Sequence, residues 1–174
     1  MKKLILYIAQ SLDGFIAGPN GEIDWLPETP GEDYGYYDFI KQIDTTLMGA
    51  KTYEFVLSVD DFPYKEMRNI IFTRSKSLPK SEYVEFCDED IVRKVSQLKE
   101  GDGKGIWLIG GGQIIAPLLY ADLIDEYFIA VCPVVLGQGI PLFLKGERKF
   151  NLELISAEKY ASGLVMLHYV KKSM

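Results

Sequence analysis

The chain has 174 residues, with 19 lysines and arginines against 25 aspartates and glutamates, which gives a formal net charge of −6. Because 48% of the residues are hydrophobic and 13% are aromatic, the composition excludes a disordered chain. The acidic balance argues against nucleic acid as a partner, since phosphate backbones favour basic surfaces. The apolar run at residues 4–9 is too short for a signal peptide, and no stretch approaches the about 20 apolar residues of a membrane span. We therefore predict a cytoplasmic protein without membrane contact.

Short β-rich runs alternate with helical periods along the chain, starting at the apolar run of residues 3–9. The full set of predicted strands is 3–9, 45–49, 69–73, 83–86, 105–109, 124–131, 150–157 and 164–170, and the predicted helices are 34–42, 52–57, 90–99 and 113–120. The first six strands alternate with helices, whereas only Ser162-Gly163 separates the last two, which is typical of a hairpin. Continuous apolar runs such as 106–109 are typical of parallel strands that are buried on both faces. The sequence predicts one α/β domain over residues 1–174, with a mostly parallel sheet and antiparallel pairing at its C-terminal end.

Two predicted strand-to-helix junctions, at residues 49–52 and 110–113, have the composition of an anion site. Glycine allows a ligand to approach the backbone closely, and the first amides of a helix are unpaired donors. Residues 73–76, Thr-Arg-Ser-Lys, end a third predicted strand. We expect these segments to share one sheet edge and to bind a dinucleotide that carries a diphosphate and a 2′-phosphate. Either glycine turn alone is equally consistent with a structural turn, and neither matches the Rossmann or P-loop pattern.

Six motifs span nearly the whole chain in a characteristic order. They are residues 11–18 (SLDGFIAG), 24–25 (DW), 47–54 (LMGAKTYE), 110–112 (GGG), 125–126 (DE) and 133–143 (PVVLGQGIPLF). With these motifs the chain resembles the dihydrofolate-reductase-like superfamily, most closely the reductase domain of bacterial riboflavin biosynthesis and its stand-alone relatives. The resemblance implies a mixed eight-stranded sheet flanked by helices, an NADPH-dependent reductase activity and frequent assembly as a homodimer.

The resemblance also implies positions for the cofactor. It places Ala9, Ile16 and Gly18 beside the nicotinamide, within or next to a lid segment that we define as residues 10–25. The predicted phosphate-binding residues are Gly49, Lys51, Thr52, Gly110, Gly111, Gly112 and Gln113, and those around the 2′-phosphate are Thr73, Arg74 and Ser75.

Two departures from the family pattern affect the predicted ligands. Ala50 stands where the family usually has an arginine, so the preference for NADPH depends on Lys51, Arg74 and Lys76. The arginine that grips the folate tail in dihydrofolate reductases falls on Met67, which makes folate an improbable substrate.

Hydride transfer requires orientation, exclusion of water and at most a proton donor, so we expect no metal site. By the spacing of the dihydrofolate reductases, the resemblance places the catalytic acid at Asp33, and Asp13 is the second candidate. A helix cap and a turn, respectively, are the structural alternatives. Trp25 and Tyr36 belong to a group of rings on which a flat substrate would stack, with core or dimer contacts as the alternative for such rings.

Three functional hypotheses follow from these residues. The first is an NADPH-dependent reductase of a small pyrimidine- or pterin-like substrate. The second is a non-catalytic nucleotide-binding dimer or sensor on the same scaffold, motivated by Ala50 and by the uncertain acid. The third is an interaction domain without a ligand, in which the glycines only form turns.

Overall fold

The computed structural model describes residues 1–59 and 61–172. No helix over these residues has the length and apolarity needed to cross a bilayer. In chain order the elements are β1 (Leu4–Ser11), β2 (Phe15–Ala17), α1 (Tyr36–Ile40), β3 (Ile43–Gly49), α2 (Ala50–Val59), β4 (Arg68–Phe72), β5 (Val84–Cys87), α3 (Ile91–Glu100), β6 (Gly105–Gly110), α4 (Gly112–Tyr120), β7 (Glu126–Cys132), β8 (Ile140–Pro141), β9 (Leu152–Lys159) and β10 (Val165–Lys171).

The main sheet has eight strands in the order β5-β4-β3-β6-β1-β7-β10-β9. The first six in this order run parallel to one another, and β10 runs antiparallel to both β7 and β9. Each of the eight predicted strands overlaps one of these strands, which confirms the predicted fold class. β9 and β10 pair antiparallel because only a short turn joins them, closed by the Gly163 N–H, which donates to the Tyr160 carbonyl at 3.0 Å.

Helices cover both faces of the sheet. On one face α3 and α4 bury Val95 and Leu118 in a cluster that includes Leu108 of β6. On the other face, where α1 and α2 lie, Phe39 packs edge-on against Trp107 at 5.3 Å between ring centroids. Leu108 and Trp107 are neighbours in β6 and point to opposite faces, so this strand is buried on both sides.

The register aligns the carboxyl ends of the parallel strands at one edge of the sheet. Gly49 at the end of β3 pairs with Phe72 at the end of β4, and β6 ends beside them at Gly110. Over the described residues β1 pairs with β6 as far as Leu6, but with β7 as far as Ser11. The second half of β1 therefore pairs with β7 alone, at the edge where ligands bind in sheets of this kind.

Two elements differ from the sequence prediction. β4 and β5 are parallel neighbours, yet residues 73–83 between them contain no helix, so the predicted alternation is wrong at this point. The segment 133–143, in which no strand is predicted, contains β8, which pairs with β2 in a separate two-stranded sheet. Strands of two and three residues are too short to show an alternating pattern of side chains, which explains why the sequence does not reveal them.

Candidate functional site

The two glycine-rich turns lie against each other at the carboxyl edge of the sheet. A β-carbon placed on Gly49 would lie 3.8 Å from the Gly110 carbonyl oxygen and 3.9 Å from the Gly111 amide nitrogen. A β-carbon placed on Gly111 would lie 3.8 Å from Thr52 Oγ1 and 3.9 Å from Ile16 Cδ1. The structure therefore brings together residues from three predicted cofactor segments, which follow β1, β3 and β6.

Each glycine turn leads directly into a helix. α2 begins at Ala50 and α4 at Gly112, and by position the first amides of both helices lack an intrahelical acceptor. Gly111 precedes α4 and offers no side chain to cap these amides. Gly110 has a φ of +125°, which glycine adopts readily, and its peptide bond to Gly111 is cis. An anion at this point would meet bare amides and the positive ends of two helix dipoles.

A cationic cavity follows the end of β4. It has a volume of about 330 Å³ and is lined by Thr73, Arg74, Ser75, Lys76, Leu78, Lys80, Phe86 and Asp88. Three of these side chains are cations and one is a carboxylate, so the lining carries a net positive charge. The structure thus brings together the residues predicted for the 2′-phosphate, on the same sheet edge as the glycine turns.

Lys80 and Phe86 line this cavity but are absent from the predicted site. Phe86 is 40% exposed, which is high for a large apolar side chain in a strand. Its position becomes evident only from the pairing of β5 with β4, in which Phe86 lies opposite Ile71. A single apolar residue at the end of a predicted strand does not indicate which side chains surround it.

Local hydrogen bonds stabilise a turn within the lid segment, residues 10–25. The Gly18 N–H donates to the Glu22 carbonyl at 2.8 Å, and the indole Nε1 of half-buried Trp25 donates to the same carbonyl at 3.2 Å. Ile16, which faces Gly111, lies in β2 just before this turn. The predicted nicotinamide-side residues of the lid segment therefore lie in one compact, hydrogen-bonded stretch.

The carboxylate of Asp13 accepts three hydrogen bonds from the chain itself. Oδ1 accepts from the Ser11 hydroxyl at 2.6 Å and from the Leu136 amide at 3.1 Å, and Oδ2 accepts from the Gly137 amide at 2.7 Å. These donors, the Ser11 hydroxyl first, hold the pKa of Asp13 below its usual value. The contacts favour the turn interpretation of Asp13, and its role as a proton donor stays a prediction.

Asp33 is exposed and lies just before α1. Its Oδ1 accepts from the Gly35 amide at 3.2 Å and its Oδ2 from the Tyr37 amide at 3.1 Å. These are the contacts of a residue that caps a helix N-terminus. The catalytic role of Asp33 likewise stays a prediction.

The two predicted substrate-binding rings lie in neighbouring apolar clusters. The Tyr36 ring lies 6.4 Å from the Tyr7 ring and 5.9 Å from the Trp107 ring, between centroids. Trp25 packs on the adjacent cluster together with Ala9, and Tyr7 contacts both clusters. The rings therefore lie along the second half of β1, on the side predicted for the nicotinamide.

Among the described residues, two buried side-chain atoms lack a hydrogen-bond partner, Glu32 Oε2 and the Tyr34 hydroxyl. Tyr34 has a φ of +54°, and its ring packs edge-on against Tyr160 at 5.0 Å. The other Glu32 oxygen accepts from the Ala161 amide at 2.9 Å. Since buried polar groups are normally paired, these two atoms are exceptions among the described residues. Glu32 is not among the predicted residues, because nothing in its sequence context distinguishes it from a surface carboxylate.

These residues fit a phosphorylated dinucleotide. Gly49 and Gly111 leave the space between the turns free of side chains, and the amides at the start of α2 and α4 suit a diphosphate. The cationic cavity suits a further phosphate.

The family model described as the RibD C-terminal domain matches residues 2–166. The chain belongs to the RibD C-terminal domain family. The uncharacterised protein YwjB of Bacillus subtilis (strain 168) is 41% identical over 172 residues, which cover 98% of each chain. The uncharacterised protein YyaP of the same organism is 34% identical over 180 residues, which cover 97% of this chain and 94% of YyaP.

Solved structures share this RibD C-terminal domain fold. A candidate riboflavin biosynthesis protein from Shewanella sp. PV-4 superposes with a TM-score of 0.87 at 30% identity, over 98% of this chain and 99% of the other. A Thermotoga maritima diaminohydroxyphosphoribosylaminopyrimidine deaminase/5-amino-6-(5-phosphoribosylamino)uracil reductase gives 0.74 at 19% identity, over 98% of this chain and 57% of the other. A pyrimidine reductase-like protein from Corynebacterium diphtheriae gives 0.71 at 15% identity, over 99% and 93%. The family and the dihydrofolate-reductase-like fold predicted from the motifs are confirmed, and the chain is reductase-like.

Proposed function

We propose that this RibD C-terminal domain protein is an NADPH-dependent reductase. Its substrate would be a small pyrimidine- or pterin-like compound, or a related carbonyl or imine. The observation that carries the proposal is the meeting of Gly49, Gly111, Thr52 and Ile16 at one sheet edge that also holds the cationic cavity. The reductase character of the family supports it, as does the pyrimidine chemistry named for two structural neighbours.

The chain's own residues would bind and orient the cofactor. The amides that open α4, with Lys51 and Thr52 at the start of α2, would hold the diphosphate. Arg74 and its neighbours in the cationic cavity would hold the 2′-phosphate. NADPH supplies the hydride when bound, so the protein has to align the reacting carbons and exclude water.

The substrate would lie beside the second half of β1. Trp25 and Tyr36 offer ring surfaces on which a flat heterocycle can stack.

Titration with NADPH and with NADH, followed by quenching of the Trp25 and Trp107 fluorescence, tests cofactor binding. We expect saturable binding that is tighter for NADPH. Consumption of NADPH absorbance in the presence of reducible pyrimidines, pterins and simple imines then tests turnover. The absence of saturable binding by either nucleotide would end the proposal.

A second candidate is a non-catalytic nucleotide-binding dimer or sensor. The observation that favours it is that the Asp13 and Asp33 carboxylates are both engaged by backbone amides, which leaves no evident acid among the predicted residues. Nucleotide binding without turnover, with Asp33→Asn binding like the wild type, would support this candidate. The cytoplasmic location stays a prediction.

A further inference from the structure

We propose that Asp13 is a positioning residue for the nicotinamide half of the dinucleotide. Its carboxylate fastens the lid segment to residues 133–142 and so fixes the surface that faces Gly111. We call the three hydrogen bonds that the carboxylate accepts, from Ser11, Leu136 and Gly137, the latch. The inference rests on the proposed function, because it requires a dinucleotide at the glycine turns.

The side-chain contacts of the latch join two segments that are distant in sequence. The Asp13 carboxylate belongs to the lid segment, and it accepts the amides of Leu136 and Gly137, more than 120 positions away. Ser11 donates its hydroxyl to the carboxylate at 2.6 Å and accepts the Phe15 amide at 2.9 Å. Hydrogen bonds to an ionised carboxylate are shorter and stronger than neutral ones, so one side chain contributes strongly to holding the segments together.

Backbone hydrogen bonds flank the latch on both sides. The Leu12 N–H donates to the Val134 carbonyl at 2.8 Å, one residue before Asp13. The Leu142 N–H donates to the Gly14 carbonyl at 2.9 Å, one residue after it, and β2 then pairs with β8. The carboxylate therefore lies at the centre of a continuous junction between the two segments.

Both segments joined by the latch contact the turn that opens α4. From the lid segment, Ile16 Cδ1 lies 3.9 Å from the β-carbon position of Gly111. From the other segment, the Pro141 carbonyl oxygen lies 3.1 Å from the β-carbon position of Gly112. The latch thus sets the distance between the lid segment and the turn without contacting the turn itself. That is the reason to assign Asp13 a positioning role rather than a catalytic one.

An asparagine cannot replace Asp13 in this role. The two carboxylate oxygens accept three hydrogen bonds, whereas an asparagine of the same shape has one acceptor oxygen and an NH₂ group. In Asp13→Asn that NH₂ group would face the Gly137 amide in one orientation, and the Leu136 amide together with the Ser11 hydroxyl in the other. The substitution therefore releases at least one amide of residues 136–137 without changing the volume of the side chain.

Nuclear magnetic resonance of the backbone amides tests the latch directly. In Asp13→Asn we expect the amide signals of Leu136 and Gly137 to shift and their hydrogen exchange to accelerate by about tenfold or more. The control Asp102→Asn removes an exposed carboxylate between α3 and β6 and should leave both signals unchanged. Unchanged signals in Asp13→Asn would overturn the latch.

Two ligands test the positioning role. Asp13→Asn should bind NADPH about tenfold more weakly, yet bind adenosine 2′,5′-bisphosphate, which lacks the nicotinamide half, within about twofold of the wild type. Retained binding of the bisphosphate also shows that the variant is folded. Equal losses of affinity for both ligands, or an unchanged NADPH affinity, would overturn the positioning role of Asp13 and leave the proposed function standing. A wild-type chain that binds no NADPH would instead overturn the proposed function, and this inference with it.

Discussion

Under the proposed function, Arg74 in the cationic cavity is the side chain expected to favour NADPH over NADH. Because Ala50 supplies no cation at the first glycine turn, binding of a 2′-phosphate would depend on the residues after β4. Arg74→Ala should weaken NADPH binding roughly tenfold, since it removes a charge-assisted hydrogen bond, and should change NADH binding less than about twofold. The fluorescence titration measures both constants. Lys104→Ala, at the opposite edge of the sheet, is the control, and equal losses for both nucleotides would remove Arg74 from the 2′-phosphate.

A substitution at Gly111 tests whether the ligand binds at the glycine turn before α4. Its φ of −89° and ψ of −167° suit any residue, and an added β-carbon would make only van der Waals contacts with Thr52 and Ile16. Gly111→Ala should therefore fold with a melting temperature no lower than that of the wild type. Its NADPH affinity should fall at least about tenfold, because the methyl group covers the amides that open α4. Gly101→Ala, after α3, is the matched control. Wild-type affinity in Gly111→Ala would show that the ligand lies elsewhere.

The pH dependence of the latch follows from the lowered pKa of Asp13. A carboxylate whose pKa is lower in the folded than in the unfolded state stabilises the fold above the unfolded value of about 3.9. This contribution disappears as the pH falls through the folded pKa. We therefore expect the amide signals of Leu136 and Gly137 to stay constant from neutral pH to about pH 5 and to titrate with a midpoint below about 3.9. A midpoint near neutrality would instead support Asp13 as a proton donor.

At the scale of elements, the small sheet of β2 and β8 depends on a close backbone approach at Gly139. A β-carbon at this position would lie 2.3 Å from the Ala17 carbonyl oxygen and 3.2 Å from Phe15 Cβ. Gly139→Ala should separate β2 from β8 and destabilise the protein by roughly 1–3 kcal/mol, while the main sheet persists. Urea unfolding and hydrogen exchange at residues 15–17 measure the two effects. Slow exchange at these residues in the variant would contradict this account.

The main elements could be predicted because their residues carry strong local patterns. The continuous apolar run in β6 indicates a strand buried on both faces, and Asp90 before the apolar stripe of α3 accepts the Arg93 amide at 2.8 Å as a helix cap. The glycine turns could be placed at one edge because parallel strands end together. The register therefore confirms a convergence that the motifs predict.

The remaining parts of the site depend on contacts that no local pattern encodes. β8 is formed because β2 supplies its partner more than 120 positions earlier in the chain. Phe86 reaches the cationic cavity through the pairing of β5 with β4, and Lys80 reaches it from the loop between these two strands. Half-buried Glu32 accepts a hydrogen bond from the turn that joins β9 to β10. For Asp13 the sequence leaves a proton donor and a turn residue as alternatives, and its contacts with Leu136 and Gly137 come only from the fold.

For the whole molecule, we propose a homodimer that forms through β9. This strand is an edge of the main sheet, and its large apolar side chains Leu154 and Ile155 are 51% and 52% exposed. Exposed edges of this kind pair readily with another chain. β9 carries Glu153 near one end and Lys159 at the other, so an antiparallel pair of two copies would bring opposite charges together.

Ile155→Lys tests this dimer. The substitution places a lysine on the apolar part of the β9 edge, where the lysines of two copies would lie close together and repel each other. The sedimentation coefficient should therefore shift from that of a dimer to that of a monomer. Glu100→Lys introduces the same side chain at the end of α3 and should leave the dimer intact. A wild-type chain that sediments as a monomer would refute the proposed assembly.

The pairing of β1 has a consequence for how this molecule can vary. Leu6 pairs with a strand on each side and is inaccessible to solvent, so a substitution there that changes the side-chain volume should destabilise the fold. Ala9 pairs only with β7, and it lies in the region where the proposed ligand would bind. Under the proposed function, one strand therefore combines a half whose side chains the fold requires with a half whose side chains could change to alter ligand preference while the rest of the sheet stays the same.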